Sequence, residues 1–292
     1  MDKKTIAWWS GGVTSAVACH LALQLFENVE IVFIDTFNED DDTYRFKKDC
    51  EQWYGCEIKT ISAIPEKYNK IQDVWIHFKS LNVGHGAICS SELKRAVREA
   101  YQKTVDFRYQ VFGFDIKEGK RALGMKANYS KIRPVFPLLL YGLFKTECID
   151  ILQEAGITPP RTYLLGFNNN NCFKTGCVQG GIGYWQKMGR EQPDKFDTMA
   201  AMEHYLTDLK GEPVTMLKDQ SKEAAESGNT LVFLKPHPDY PELKDISMME
   251  GREPKPLMEC NGFCGTNDLL PRSSTESEIN FQLPLFNDNG IK

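Results

Sequence analysis

The sequence predicts an α/β protein built on a doubly wound, mostly parallel β-sheet. Short apolar runs alternate along the chain with segments whose apolar residues recur at helical spacing, which is typical of such sheets. The chain has 292 residues, enough to bury the core of one large domain or of a domain with an appendage. Its hydrophobic fraction of 41% and charged fraction of 26% are ordinary for a water-soluble globular protein.

The predicted strands and helices alternate from the amino terminus onward. Apolar runs bounded by turn residues predict strands at 6–9, 29–34, 56–61 and 109–114. Helical spacing predicts helices at 13–26, 43–54 and 146–155, and Ser90 or Ser91 would cap a further helix. In doubly wound sheets, ligands bind beyond the carboxyl ends of the strands. Residues 10–15 and Asp35 follow two predicted strands, so we expect a binding site there.

Charge and composition exclude several classes of protein. A net charge of −5 argues against a broad nucleic-acid-binding surface, although it leaves room for local basic patches. No run approaches the roughly 20 apolar residues of a membrane span, and the start MDKKTIAWWSGG lacks the apolar stretch of a signal peptide. We therefore expect a cytoplasmic protein with reduced thiols, in which some of the nine cysteines serve metal, cluster or redox chemistry rather than disulfides.

The stretch WWSGGVTS places a glycine turn with hydroxyl groups between the first strand and the first helix. Backbone N–H groups and the helix dipole attract anions at such a turn, and hydroxyls can donate further hydrogen bonds. The residues that would cradle a phosphate are Ser10, Gly11, Gly12, Thr14 and Ser15. The spacing fits neither GxxxxGK[ST] nor GxGxxG. A tight turn with a serine cap is the alternative interpretation of this stretch.

Several further segments, in order, resemble one known family. SGGVTS resembles the SGGxDS loop of the PP-loop (adenine nucleotide alpha hydrolase) superfamily. Its phosphoadenylyl-sulfate (PAPS) reductase branch has segments similar to DTFNEDDDTYRF, CSSELKRAVREA, GFDIKEGKRA, PVFPLLLYGLFKTECIDIL and YLLGFNNNNCFKTGC. Together these cover about residues 5–190. The stretch after Gly180 is similar to one in a phage and bacterial group of PAPS-reductase-like proteins.

The resemblance implies a Rossmann-like sheet that binds an adenine nucleotide, ATP or PAPS, with Mg²⁺. It implies that residues 10–15 bind the phosphates, that Asp35 lies near the ribose or the metal, and that Lys94 and Arg121 neutralise anionic groups. The alternative for these two cations is that they are solvated surface charges. Thr14 stands where the family has Asp, so one carboxylate that could contribute to a magnesium site is missing.

The cysteines fall into two groups by context. Cys19, Cys50, Cys56 and Cys148 lie in periodic segments and are predicted to be small buried residues. The others lie in glycine-rich or loop-like contexts: Cys89, Cys172, Cys177, Cys260 and Cys264. Four of these five would hold an iron–sulfur cluster or Zn²⁺.

Two alternatives to a metal site remain for the loop cysteines. PAPS reductases carry a carboxy-terminal Glu-Cys-Gly motif, which Glu259-Cys260 partly matches, so Cys260 would be a nucleophilic thiolate. Otherwise all five residues are ordinary thiols.

These patterns predict a PP-loop nucleotide-binding domain at 1–165, a helical, cysteine-bearing extension at 166–270 and a peripheral tail at 271–292. The predicted activity is adenylation of an acceptor by ATP, with release of pyrophosphate, coupled to sulfur or nitrogen transfer. The alternatives are thiol-dependent reduction of PAPS to sulfite and a non-catalytic nucleotide sensor or partner-binding module. The acceptor stays open between tRNA, DNA, a metabolite and a protein. The oligomeric state also stays open, a homodimer included.

Overall fold

The computed structural model describes residues 3–83 and 86–257, in which strands and helices alternate. The strands are β1 Lys4–Trp9, β2 Val29–Ile34, β3 Lys59–Ile61, β4 Asn82–Val83, β5 Gly86–Ala87, β6 Phe107–Val111, β7 Pro134–Val135, β8 Leu217–Lys218, β9 Leu231–Phe233 and β10 Lys244–Asp245. The helices are α1 Val13–Leu25, α2 Asp41–Tyr54, α3 Ile71–Phe78, α4 Ile88–Ser90, α5 Ala96–Gln102, α6 Gly119–Asn128, α7 Pro137–Leu140, α8 Lys145–Glu154, α9 Arg161–Leu164, α10 Ile182–Glu191, α11 Pro193–Lys210 and α12 Lys222–Ser227. A π-helical turn, Ser91–Arg95, joins α4 to α5.

The central sheet has five parallel strands in the order β3-β2-β1-β6-β7. The chain moves outward from β1 to β3 and then crosses back to the other side of β1. The strand order therefore reverses at β1, and its carboxyl end is the position at which other doubly wound sheets bind ligands. This topology confirms the predicted α/β class.

Helices cover both faces of the sheet. On one face, α1, α2 and α8 bury a core that includes Trp9, Phe33 and Phe46. On the other face, the helix formed by residues 88–102 and α6 bury Phe112 and Phe114 with their neighbours. β1 and most of β2 are buried on both faces, which explains why they read as apolar runs rather than as alternating patterns.

The part after the central sheet packs around α10 and α11. Pro193 begins α11 directly after α10 ends, at the first helical position where its missing N–H costs nothing. These helices share a core with the β8–β9–β10 sheet, α3 and the loop around Phe173 and Cys177. Within the described ranges, no helix is long and apolar enough to span a membrane.

Two local predictions are wrong. The helix predicted to start at Ser90 or Ser91 begins at Ile88 instead, with Ala87 as its cap, because strand β5 leads directly into it. Cys56 is exposed rather than buried, because the third strand begins only at Lys59 and leaves Cys56 in the preceding turn.

Candidate functional site

The glycine turn between β1 and α1 is shaped by its own hydroxyl groups. Gly11 has a φ of +86°, a left-handed conformation that favours glycine. The Ser15 Oγ accepts hydrogen bonds from the Ser10 N–H and the Ser10 Oγ, each at 3.0 Å, and donates to the Gly12 carbonyl at 2.8 Å. Ser15 thus holds the turn in shape, and Thr14 behind it is fully buried.

A second segment, about 160 residues further along the chain, stabilises the glycine turn through hydrogen bonds. The Asn170 Nδ2 donates to the Gly11 carbonyl at 2.8 Å and to the Thr43 Oγ1 at 2.9 Å. Its Oδ1 accepts from the Thr162 Oγ1 at 3.0 Å. The Tyr163 hydroxyl accepts from the Val13 N–H at 3.3 Å, so it satisfies one of the N–H groups that the first turn of a helix leaves without a partner inside the helix.

Gly113, just beyond β6, lies directly against the amino end of α1. A Cβ at this position would lie 2.5 Å from the Ser15 Cα and 2.6 Å from the Ser15 N. No real side chain fits at such distances, so the glycine is required for two strand ends to meet. The residues that follow β1 and β6 therefore form one surface.

Asp35 ends β2 beside the glycine turn and is 3% exposed. Its Oδ1 accepts hydrogen bonds from the Phe37 N–H at 2.7 Å and from the Tyr44 hydroxyl at 3.0 Å. Burial, together with the adjacent Glu39 carboxylate, raises the pKa of Asp35 to about 6. Phe37 turns the chain here with a φ of +54° and leaves its ring 49% exposed.

The two cations predicted to neutralise a substrate are both buried, so they are not surface charges. Lys94 is 6% exposed, and its Nζ lies 3.5 Å from the Glu39 Oε1. Arg121 is 2% exposed, stacks on the Phe114 ring and pairs with Glu118 at 2.7 Å. Both lie near the carboxyl end of the sheet, where each already compensates a carboxylate.

The loop that carries Cys172 packs on the end of β2. The Phe173 and Lys174 N–H groups donate to the Asn38 carbonyl at 3.0 and 3.1 Å. The Asn38 Nδ2 donates to the Thr175 Oγ1 at 2.7 Å. These bonds place the half-buried Cys172 Sγ 3.9 Å from the Thr36 Oγ1, one residue after Asp35.

Three of the five loop cysteines belong to the same large apolar core. Cys89 and Cys177 are buried in it and Cys172 packs against it. The buried Tyr184 hydroxyl accepts the Cys177 N–H at 3.1 Å, and burial with the nearby Cys177 and Cys172 raises the pKa of Tyr184.

A metal centre is not evident among the residues that the structure describes. No three His, Cys, Asp or Glu side chains are grouped there so as to hold a metal ion. Cys260 and Cys264 lie outside the described residues. The four-cysteine cluster or zinc site therefore stays a prediction.

The glycine turn, the strand order and the buried ions at the strand ends have a counterpart among known families. Residues 4–110 match the phosphoadenosine phosphosulfate reductase domain. This match spans β1 to β6 and confirms the resemblance to the PAPS reductase branch. The matched segment contains the glycine turn, Asp35 and Lys94, whereas Arg121, Asn170 and the cysteine loop follow it.

Two solved structures share a looser likeness with this chain. One is a PAPS reductase from Candida auris in a phosphate complex, with 14% identity over 58% of this chain and 81% of that chain, at a TM-score of 0.44. The other is an NMN synthetase from Francisella tularensis, with 16% identity over 78% of this chain and 82% of that chain, at a TM-score of 0.41. The fold class rests on the strand order and not on these likenesses. No curated protein sequence matches the chain.

Sequence reasoning did not find the residues that support the site from a distance. Asn170 and Tyr163 lie in the segment YLLGFNNNNCFKTGC, which is part of the family resemblance, but nothing near them in sequence indicates that they reach α1. The weak indication was the asparagine run NNNN at 168–171, since a polar run directly before a buried aromatic residue needs hydrogen-bond partners. Glu39 was likewise only one acid among the several in DTFNEDDD.

Proposed function

We propose that this protein binds an adenine nucleotide at the glycine turn and transfers its adenylyl group to an acceptor. The observation that carries the proposal is the placement of two buried cations, Lys94 and Arg121, near the strand ends that frame an anion-binding helix terminus. Buried cations are costly unless they are compensated. Their position fits a site built to bind negative charge.

The phosphates of ATP would lie at the first turn of α1, against residues 10–15. An acceptor oxygen would attack the α-phosphorus, the bond from that phosphorus to the bridging oxygen would break, and pyrophosphate would leave with the electron pair. Such in-line displacement needs positioned phosphates and stabilisation of developing charge. Lys94 and Arg121 would supply that charge once a phosphate oxygen competes with Glu39 and Glu118 for them.

Mg²⁺ fits this site through one carboxylate. Asp35 is buried at the strand end, where its carboxyl group interacts with the Phe37 N–H, the Tyr44 hydroxyl and the Glu39 side chain, and bound Mg²⁺ would replace the contact with Glu39. Glu39 is less suited, because its oxygens already accept from the Thr36 N–H, the Thr36 hydroxyl and the Asn38 N–H. Mg²⁺ commonly binds one or two carboxylates together with substrate phosphates and water, so Asp35 would hold it with the nucleotide.

A second candidate is the reduction of PAPS to sulfite, favoured by the family match over residues 4–110. A thiolate would attack the sulfonate sulfur, the bond from that sulfur to the phosphate oxygen would break, and adenosine 3′,5′-bisphosphate would leave with the electron pair. A second thiolate would then attack the sulfur of the first cysteine, so that a disulfide forms and sulfite leaves. Cys172, beside Thr36, is the described thiol nearest to the end of β2. Cys260, the predicted nucleophile, lies outside the described residues.

The test is to measure binding and turnover of both nucleotides by one preparation. We expect ATP with Mg²⁺ to bind and, with a nucleophilic acceptor, to release pyrophosphate. Lys94→Met and Arg121→Met should weaken ATP binding at least about tenfold, whereas Lys94→Arg should restore part of it. Lys218→Met changes an exposed lysine on β8 and should have no effect.

Each other result points to a different function. Sulfite from PAPS with thioredoxin, and no pyrophosphate from ATP, would select the reductase. Tight nucleotide binding without turnover would select the sensor. Absence of binding to either nucleotide would exclude all three functions.

The role of the cysteines needs a separate measurement, on protein purified without oxygen. Iron and sulfide in near-stoichiometric amounts, lost in Cys172→Ser or Cys177→Ser, would establish a cluster. Zinc without sulfide would make these cysteines structural. Because the described cysteines do not form a complete ligand set, the proposed adenylyl transfer includes no step at a metal cluster.

A further inference from the structure

One segment of this acidic protein is strongly basic. Residues 116–145 contain seven Lys or Arg and a single acid, Glu118, in a chain of net charge −5. Four of these cations are exposed on α6 or on the turns beside it: Lys117, Lys120, Lys126 and Lys131. Glu118 is itself paired with the buried Arg121, and Glu147, just beyond the segment, interacts with Lys117. The excess positive charge of the segment therefore lies toward Lys126, Lys131 and Arg133.

The same segment surrounds a cavity of about 620 Å³, which we call the basic cavity. Its walls are largely apolar side chains from α6, β7 and α7, among them Ile116, Leu123, Phe136 and Leu139. The two charged residues that line it, Lys126 and Arg133, are both cations. A cavity of this size accommodates a flat heterocycle, and its mouth is positively charged.

Exposed aromatic rings flank the basic cavity. Tyr141 directly follows α7 and is 53% exposed, and Phe144 is 38% exposed. The Ile116 N–H donates to the Leu143 carbonyl at 3.2 Å, so the 141–144 turn lies beside the start of α6. Exposed rings next to lysines are the elements with which proteins bind unpaired bases, by stacking on the base and neutralising the backbone.

The basic cavity begins near the candidate active site. Ile116 lines the cavity and lies three residues after Gly113, whose backbone contacts Ser15. The end of the cavity at Ile116 is thus the one nearer to the glycine turn, and Arg133, directly before β7, lies at the other end.

We propose that the basic cavity and its exposed lysines bind single-stranded nucleic acid, which carries the acceptor of the adenylyl transfer. The role of the nucleic acid as acceptor rests on the proposed function. Its binding to the basic cavity does not, because that binding does not require ATP. One unpaired base enters the apolar cavity, and its neighbours stack on Tyr141 or Phe144. Lys126 and Arg133 contact the phosphates on either side.

The charge pattern favours this occupant over two others. A second copy of the chain, docked by the same patch on both molecules, would bring the two sets of lysines against each other. An anionic membrane would be attracted by the lysines, and the exposed Tyr141 and Phe144 rings could enter its interface, but a lipid surface would leave the concave cavity between α6 and α7 without an occupant. A nucleic acid strand supplies both a flat apolar group and regularly spaced negative charges.

The test is fluorescence anisotropy of the full chain with short single-stranded RNA and DNA oligonucleotides, in the absence of ATP, over a series of salt concentrations. We expect Lys126→Glu combined with Arg133→Glu to weaken binding at least about tenfold and to reduce the slope of log affinity against log salt by about 1.4, for two lost phosphate contacts. The matched control, Lys218→Glu with Lys222→Glu, makes the same charge change on exposed lysines of β8 and α12 and should leave binding intact. Tyr141→Ala should weaken binding without changing the salt slope.

Three results would overturn the proposal: equal losses in both charge-reversed variants, a preference for anionic phosphatidylserine vesicles over oligonucleotides, or dimerisation that Lys126→Glu abolishes. The proposed function fails differently. Oligonucleotide binding with no pyrophosphate release from ATP would leave the basic cavity in place and remove the adenylyl transfer. ATP binding without oligonucleotide binding would do the reverse.

Discussion

Two buried carboxyl groups, in different regions of the molecule, show how a site differs from a scaffold. Asp35, at the end of β2, is surrounded by side chains from several elements, including Tyr44 and Glu39. Glu203, in α11, is 0% exposed, and its two oxygens accept the Met216 N–H at 2.8 Å and the Leu234 N–H at 2.7 Å. Burial raises the pKa of Glu203 to about 8, above that of Asp35 at about 6.

The two carboxyl groups differ in the kind of partner that their oxygens have. Both Glu203 oxygens are used by backbone groups of the small sheet, so this carboxyl joins α11 to β8 and the end of β9 and has no access to a ligand. Asp35 lies beside the glycine turn and a second carboxylate, where mobile partners such as a hydroxyl can be exchanged for a cation. A buried carboxyl group at a strand end with side-chain partners indicates a ligand-binding site. A buried carboxyl group whose two oxygens accept backbone N–H groups indicates a structural role.

The largest expected effect on stability and nucleotide affinity together comes from Gly113→Ala. Its Cβ would overlap the backbone of Ser15, so α1 must shift, at a cost of about 1–3 kcal/mol or more in unfolding free energy. We expect nucleotide affinity to fall with it, because the phosphate-binding turn moves. Gly119→Ala, in the same segment but with nothing within 4 Å of the added Cβ, is the control for calorimetry and binding. Normal ATP affinity in Gly113→Ala would show that the contact with Ser15 is dispensable.

Glu203→Ala should destabilise the protein by about 2–5 kcal/mol, since it leaves two buried N–H groups without an acceptor. Denaturant titration measures this loss, and Glu203→Gln, which keeps one acceptor, should lose less. Nucleotide affinity of the folded fraction should not change. A selective loss of nucleotide binding at unchanged stability would place Glu203 in the site and break the distinction between the two regions.

Asn170→Ala should affect both stability and binding. It removes hydrogen bonds to the Gly11 carbonyl, Thr43 and Thr162, and we expect a loss of about 1–3 kcal/mol with a several-fold weaker nucleotide affinity. Asn168→Ala, which removes one exposed hydrogen bond to the Pro254 carbonyl, is the control. If both variants bind the nucleotide alike, the glycine turn does not depend on its distant support.

The smallest effect is the pH dependence of stability from Asp35. Its folded pKa of about 6 lies above the ordinary value of 3.8, so the folded state retains the proton over this range while the unfolded state loses it. The stabilisation is therefore present below about pH 4 and is lost as the pH rises through 6. Relative to Asp35→Asn, the wild type should become less stable between these pH values in urea titrations. Parallel curves for the two proteins would show that Asp35 ionises normally.

Local patterns were sufficient to predict the first half of the sheet and the glycine turn. β1, α1 and β2 are buried on both sides, and their apolar runs and helical spacing appear directly in the sequence. The end of β6 was misplaced, because Phe112 to Phe114 are apolar for packing beyond the strand rather than for pairing within it. The supports of the site could not be predicted, since Asn170 meets Gly11 only after the whole sheet has formed. The prediction that Cys56 is buried was wrong, because the apolar residues near it in sequence do not surround it in the structure.

The hydrogen bonds of Asn170 also determine how much of this protein could be moved into another. The family match ends at residue 110, yet the carbonyl of Gly11 is held by an amide 159 residues further along the chain. A segment cut at the end of the matched region would retain the residues proposed to bind phosphate and lose Asn170 and Tyr163, which hydrogen-bond to that turn. The smallest transferable unit with a formed phosphate turn must therefore extend past Asn170, and so it includes the loop that leads into the two cysteines at 172 and 177.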